Sequence, residues 1–158
     1  MNDLLSILKA DGTRGITTRR AQLSDAAELH ILNELFNGTG SNSLSNIAET
    51  LGTNDLEIIC VAADFNRLVG FCCSQMCKSF CYPENYAEIT ELFVLDEYRR
   101  RGIGRRLLRF MEQLLIERGA RHFHILTNKN NTTAQALYRS CGYNETAEML
   151  LDKDVTTK

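Results

Sequence analysis

The chain has 158 residues, 44% of them hydrophobic, and a formal net charge of −2. That suffices for one domain with one core and not for two ordinary ones, so a single domain over 1–158 is expected, with its core at about 15–151. A near-neutral balance argues against a general polyanion binder, and no nucleic-acid partner is expected. No apolar run approaches the ~18 residues that span a bilayer. Met1-Asn2-Asp3-Leu4-Leu5 lacks the basic start and long apolar core of a signal peptide, so a cytoplasmic protein with no membrane partner is expected.

Residues 1–14 suggest a short extra helix through Leu4, Leu5 and Leu8, broken at Asp11-Gly12. Ile16 to Ala21 alternates and is β-branched, which predicts a first strand. Ser24-Asp25 offers an N-cap, and Ala26, Leu29, Leu32, Leu35 and Phe36 fall on one helical stripe up to Asn37. His30 on that helix reads as a surface residue. Gly, Ser, Asn and Thr crowd the stretch from Asn37 to Ser45, a loop before a second short helix near Leu44 to Leu51. Leu56 to Ala63 and Leu68 to Met76 flank Asp64-Phe65-Asn66-Arg67, a hairpin pattern. Cys81-Tyr82-Pro83-Glu84-Asn85 turns into a fourth strand, Tyr86 to Leu95.

A long helix follows from Gly102 to Arg118, its stripe made by Ile103, Leu107, Leu108, Met111, Leu114 and Leu115. His122 to Thr127 is a fifth strand, and the strand-helix-strand order predicts parallel pairing of the fourth and fifth strands. Asn131 caps a further helix ending at Cys141-Gly142. A last strand is expected from Tyr143 to Leu151, then a tail over 152–158.

Six cysteines stand at 60, 72, 73, 77, 81 and 141, and without a secretory signal they read as buried or incidental reduced thiols. Cys73, Cys77 and Cys81 recur every four residues, but zinc sites usually draw pairs from two separated segments. His122 and His124 share a strand face without an adjacent carboxylate or thiol. No metal is expected.

The chemistry concentrates at Arg99-Arg100-Arg101-Gly102-Ile103-Gly104-Arg105-Arg106, between the fourth strand and the long helix. Glycines there let a ligand approach the backbone, and first-turn N–H groups, the helix dipole and the arginines all attract anions. A diphosphate suits that seat. A Walker loop needs Lys-Ser or Lys-Thr after the glycines, and a dinucleotide fingerprint needs a small residue where Leu107 stands, so both fail.

What remains is Arg99-x-x-Gly102-x-Gly104, preceded by Glu91-Leu92-x-Val94 and followed by Leu107-Leu108. In these residues the chain resembles the GNAT superfamily of N-acetyltransferases, whose pyrophosphate loop carries R/Q-x-x-G-x-G/A. A second motif supports the resemblance: Asn131, Ala134 and Tyr138, then Arg139, Gly142 and Tyr143, stand where that family places N-x-x-A-x-x-x-Y and R-x-x-G-[FY]. The resemblance covers roughly residues 15–151.

It implies an α/β (α+β) fold with a mixed, mostly antiparallel sheet of about six to seven strands, parallel at the fourth and fifth, with helices on both faces. It implies acetyl-CoA as co-substrate, held by Phe93, Val94, Arg99, Arg100, Arg101, Gly102, Ile103, Gly104, Arg105 and Asn131. The thioester carbonyl is then polarised by a backbone N–H near Phe93 or Val94. Glu91 is the expected base, with Glu88 second; alternation puts the two on opposite strand faces unless a bulge intervenes. Glu91 also has a purely structural reading, as a hydrogen-bonding group. Tyr138 matches the tyrosine that protonates the leaving sulfur, or else packs as a core aromatic. The expected partner is a small-molecule amine, and Glu34 and Glu49 near the acceptor region read more simply as solvated residues. The function implied is N-acetyl transfer to a primary amine of a small molecule or peptide. An aminoglycoside acceptor is the narrower alternative and a non-catalytic CoA-binding regulatory module the different-class one. Exposed strand edges in such a fold suit a homodimer.

Overall fold

The computed structural model describes residues 15–54 and 56–155, and the helix expected over 1–14 lies outside them. Contacts cluster in two units, one up to Leu126 and one from Thr127 onward.

The first unit holds one sheet: β1 (Ile16–Arg20), β2 (Glu57–Asp64), β3 (Arg67–Cys77), β4 (Asn85–Val94) and β5 (Ala120–Ile125), in that spatial order. Short connections keep sequence neighbours side by side. Pairing is antiparallel from β1 to β4 and parallel between β4 and β5, the mixed sheet that the strand-helix-strand order predicts. β5 starts two residues earlier than expected because Gly119, at φ 94, ends the preceding helix abruptly and Ala120 pairs at once with Asn85.

Side-chain alternation divides the sheet between two helix layers. Ile58, Cys60 and Ala62 on β2, with Gly70, Cys72 and Ser74 on β3, share one face. It packs on α3 (Ile103–Glu117), the third helix in chain order. Its Ile103, Leu107, Leu108, Met111 and Leu115 are each no more than 1% exposed. Each contributes roughly 1.5–3 kcal/mol by leaving water. The other face carries Glu57, Ile59, Phe71 and Cys73, beneath α1 (Ala26–Asn37) and α2 (Leu44–Thr53). Ser43 caps α2 by accepting from the Asn46 N–H at 3.1 Å.

The start of α1 differs from the expected cap. A 3-10 turn, Leu23–Asp25, precedes it, and neither Ser24 nor Asp25 accepts a capping bond from α1. The Asp25 carboxylate instead binds the Arg19 guanidinium at 2.6 and 2.8 Å and the Gln22 N–H at 2.7 Å. A bidentate pair with a guanidinium outcompetes a single bond from a helix N–H, and Arg19 at the end of β1 lies six residues before Asp25.

The second unit holds α4 (Thr132–Ser140), capped as expected: Asn131 accepts from the Ala134 N–H at 3.1 Å. The strand expected over Tyr143 to Leu151 does not form, and the described residues hold five strands, not six or seven. Strands are stabilised by cross-strand pairs and a half-buried face. Here no ladder receives the segment, and Met149, Leu150 and Leu151 remain exposed.

Candidate active site

β4 keeps β5 as its neighbour only as far as Ile89, which stands opposite Ile125. From Thr90 to Val94 it pairs with β3 alone, so among the described residues one edge of that stretch is open. The Leu95 N–H donates to the Val69 carbonyl of β3 at 2.9 Å. Backbone groups alternate sides along a strand, so the N–H groups of Leu92 and Val94 turn to the open edge and that of Phe93 turns to β3. The Val94 carbonyl obeys the same parity, accepting from Arg99 Nε at 2.9 Å on the open side. Phe93 contributes its ring instead, packed with Phe36 and Phe71 at centroid distances of 5.3 and 5.8 Å. In the stretch near Phe93 and Val94 where a backbone donor is expected, the Val94 and Leu92 N–H groups thus turn to the open edge and the Phe93 N–H to β3.

The open edge runs into the glycine-arginine loop. Arg100 at φ 64 and Gly102 at φ 81 are both left-handed, which folds the chain sharply into α3. The Arg106 N–H bonds the Gly102 carbonyl at 3.0 Å and starts the helical ladder. The N–H groups of Ile103 and Gly104 precede it and carry the helix's positive end. Arg99 and Arg101 turn out to brace the loop as well as charge it. Arg99 reaches Val94 O and, at 2.8 Å, Asp96, and Arg101 bonds the Glu97 carbonyl at 2.8 Å. Arg100 and Arg105 are exposed. Tyr98 donates to Asp64 at 2.9 Å, fastening the loop to the hairpin turn, a tie that spans 34 positions and has no local signal.

On the α1/α2 side of the sheet lies a cavity of about 200 Å³, lined by Asn33, Asn37, Asn42 and Thr50 above and by Glu57, Cys73 and Glu91 below. A bulge shapes its floor. Cys73 stands opposite Glu91 and Ser74 opposite Ile89, which leaves Thr90 as the extra residue. The parity of β4 flips there, so Glu88 and Glu91 share a face. Burial pushes the Glu91 carboxyl above its ordinary range. Glu57 is raised too, by burial first and by the charge of Glu91 second. Sequence reasoning missed Glu57; its signal was a carboxylate sharing parity with Ile59 and Val61 on an apolar strand face. Glu34 does not line the cavity but accepts from the Gly40 N–H at 3.1 Å and holds the loop after α1, while Glu49 is exposed.

In the second unit, Tyr138 sits in the last turns of α4, its ring 6.1 Å from that of Tyr143 and its carbonyl accepting the Tyr143 N–H at 3.1 Å. Arg139 pairs with Glu145. These contacts shape the end of the helix in which the second motif lies. The three buried cysteines of the sheet are not activated nucleophiles: burial pushes the Cys60 thiol up to about 12, and Cys72 and Cys73 well above their ordinary value. His122 and His124 are exposed. Among the described residues no three His, Cys, Asp or Glu side chains come together as a metal site would need, and no helix is long and apolar enough to cross a membrane.

The model of the acetyltransferase (GNAT) family matches residues 27–143. The chain belongs to the GNAT family. An uncharacterized N-acetyltransferase of Chlorobaculum tepidum is 32% identical over 130 residues, covering 80% of this chain and 74% of that protein. Among solved structures, the aminoglycoside acetyltransferase meta-AAC0020 from an uncultured soil metagenomic sample, in complex with sisomicin, superposes with a TM-score of 0.77 at 22% identity. It covers 92% of this chain and 98% of that one. AAC(6')-Iy in complex with the bisubstrate analog CoA-S-monomethyl-acetylneamine gives a TM-score of 0.76 at 19% identity, over 88% and 97% of the two chains. At these identities the likeness establishes the fold. GNAT membership supports acetyl-CoA-dependent acetyl transfer to an amine, and the open β4 edge and helix start are the features of this GNAT chain that suit that co-substrate.

Proposed function

We propose that this GNAT chain transfers the acetyl group of acetyl-CoA directly to a primary amine of a small molecule or peptide. The observation that carries the reading is the open stretch Thr90–Val94 leading straight into a left-handed Gly102 and the start of α3. A diphosphate fits against the N–H groups of Ile103 and Gly104, within the field of Arg99, Arg100, Arg101 and Arg105. The pantetheine arm fits along the open edge like an added strand, where the Val94 N–H is placed to polarise the thioester carbonyl.

An alkylammonium must lose a proton before it attacks, since its pKa of ~10 keeps it charged at neutral pH. Glu91 takes that proton; its raised pKa brings it nearer the working pH, as a general base requires. The nitrogen then bonds the acetyl carbon as the carbon–sulfur bond breaks and its electron pair leaves on sulfur. Tyr138, assigned through its motif, protonates the thiolate and recovers a proton from the acylated nitrogen. Asn131 holds the helix that carries Tyr138 by capping it.

An aminoglycoside acceptor is the second reading. The amides of Asn33, Asn37 and Asn42 and the Thr50 hydroxyl offer partners to a hydroxylated amine, and the fold likeness includes a sisomicin complex.

Release of free CoA thiol, measured over a panel of aminoglycosides, polyamines, amino acids and peptides, tests both readings. Tyr138→Phe is expected to lower kcat roughly a hundredfold while leaving acetyl-CoA affinity in place. Equal kcat in parent and variant would remove Tyr138 as the acid. Tight acetyl-CoA binding with no turnover on any amine would mark a non-catalytic, CoA-binding regulatory module instead.

A further inference from the structure

The cavity holds a carboxylate that the reaction above does not use. Glu57 opens β2 and faces α1 and α2, with Ile59 and Val61 on the same strand face. Its register row runs through Gln75 to Glu88, and the next row on that face runs from Ile59 through Cys73 to Glu91. Two strand spacings of ~4.8 Å and two residues of ~3.4 Å rise put the Glu57 and Glu91 backbones about 12 Å apart. Both side chains reach one cavity between them. The buried Cys73 thiol on its floor senses both: after burial itself, the charge of Glu57 and then that of Glu91 is among what pushes it up.

Neither carboxylate has a hydrogen-bond or ion-pair partner among the described residues. Two half-buried negative charges facing one space disfavour each other, and a bound cation relieves each. The ammonium that reacts at Glu91 answers only one of them. The two carboxylates of the lining together carry more charge than one amine neutralises.

We infer that Glu57 is a specificity-determining residue that holds a second ammonium group of the acceptor, so that the amine acetylated beside Glu91 belongs to a diamine or polyamine. This rests on the acetyl-transfer reading above. The cavity, at about 200 Å³, is smaller than the ~300–1,000 Å³ of sites for drug-sized ligands. It takes a short diamine, or one diamine-bearing arm of a larger acceptor.

The test compares diaminopropane, diaminobutane and diaminopentane with butylamine as acceptors, in the parent chain, Glu57→Gln and Glu57→Asp. The parent is expected to prefer a diamine over butylamine in kcat/KM. In Glu57→Gln that preference falls about tenfold, the equivalent of ~1.4 kcal/mol, through KM more than kcat. Glu57→Asp, which keeps the charge, restores part of it. Thermal melts confirm folding, and Glu57→Gln melts no lower than the parent because it removes a half-buried charge. A parent without diamine preference, or a preference unchanged in Glu57→Gln, overturns the inference. A parent that acetylates no amine overturns acetyl transfer instead. Calorimetric binding of diaminobutane to the CoA-loaded protein then decides: weaker binding in Glu57→Gln sustains the role of Glu57, and equal binding ends it.

Discussion

Gly70→Ala links a single methyl group to the geometry of the open β4 edge. Gly70 lies on β3 opposite Val94, and a Cβ there would stand 2.6 Å from the Phe93 carbonyl oxygen, 3.2 Å from Val94 Cγ2 and 3.3 Å from Leu107 Cδ1. A relaxed carbon-oxygen contact lies near ~3.3 Å, so something must yield by about 0.7 Å. The obstructing atom is backbone, fixed in the β3–β4 ladder, and Leu107 behind it is fully buried. Relief therefore moves β4 itself at Phe93-Val94, where the open edge presents the Val94 N–H. Overpacking of this kind costs about 1–3 kcal/mol, a fall in Tm of roughly 3–10 °C for a chain of this size. A donor displaced by a good fraction of an ångström lowers kcat about tenfold or more. Thermal melting and thiol release read the two effects. Gly52→Ala is the control, since a Cβ at that helical position meets nothing within 4 Å, and it is expected to be neutral or stabilising by ~0.5–1 kcal/mol. A Gly70→Ala chain with unchanged Tm and kcat would refute the claim that this contact sets the strand's position.

Gly102→Val forces a β-branched residue into φ 81 at the start of α3. The expected result is a raised acetyl-CoA Kd by calorimetry and a stability loss of about 1–2 kcal/mol. Burial raises the Glu91 carboxyl, so the acid limb of the kcat/KM profile should lie above the ~4.3 of an ordinary glutamate. Activity is lost as pH falls through that raised value, and in Glu91→Gln the limb vanishes with a roughly hundredfold loss of kcat. The Asp25 carboxyl is held below its ordinary range, chiefly by its hydrogen bonds from Arg19. Its stabilisation is thus present above the unfolded pKa of ~3.9 and is lost as pH falls through the lower folded value. Asp25→Asn should cost about 2 kcal/mol at neutral pH, discounted because Arg19 is partly exposed, and should flatten stability in acid, as urea titrations would show.

Where local chemistry decides structure, the sequence by itself determined the result. The stripe from Ile103 to Leu115 can be buried only as one helix face, and Asn131 caps α4 with its own side chain. Arg99-x-x-Gly102-x-Gly104 marked the tight turn into α3, because exposed first-turn N–H groups and a left-handed glycine are properties of a few consecutive residues. The order of strands and helix likewise implied where the sheet turns parallel.

Only the tertiary structure decided the features that depend on what lies across the sheet. The segment after Tyr143 pairs with no strand among the described residues, and pairing rather than propensity makes a strand. The bulge at Thr90 is a mismatch of register between two strands, so no inspection of β4 alone could show that Glu88 and Glu91 share a face. Glu57 and Glu91 stand 34 positions apart in the sequence, and their charges meet in one cavity because β2 and β4 flank the same third strand.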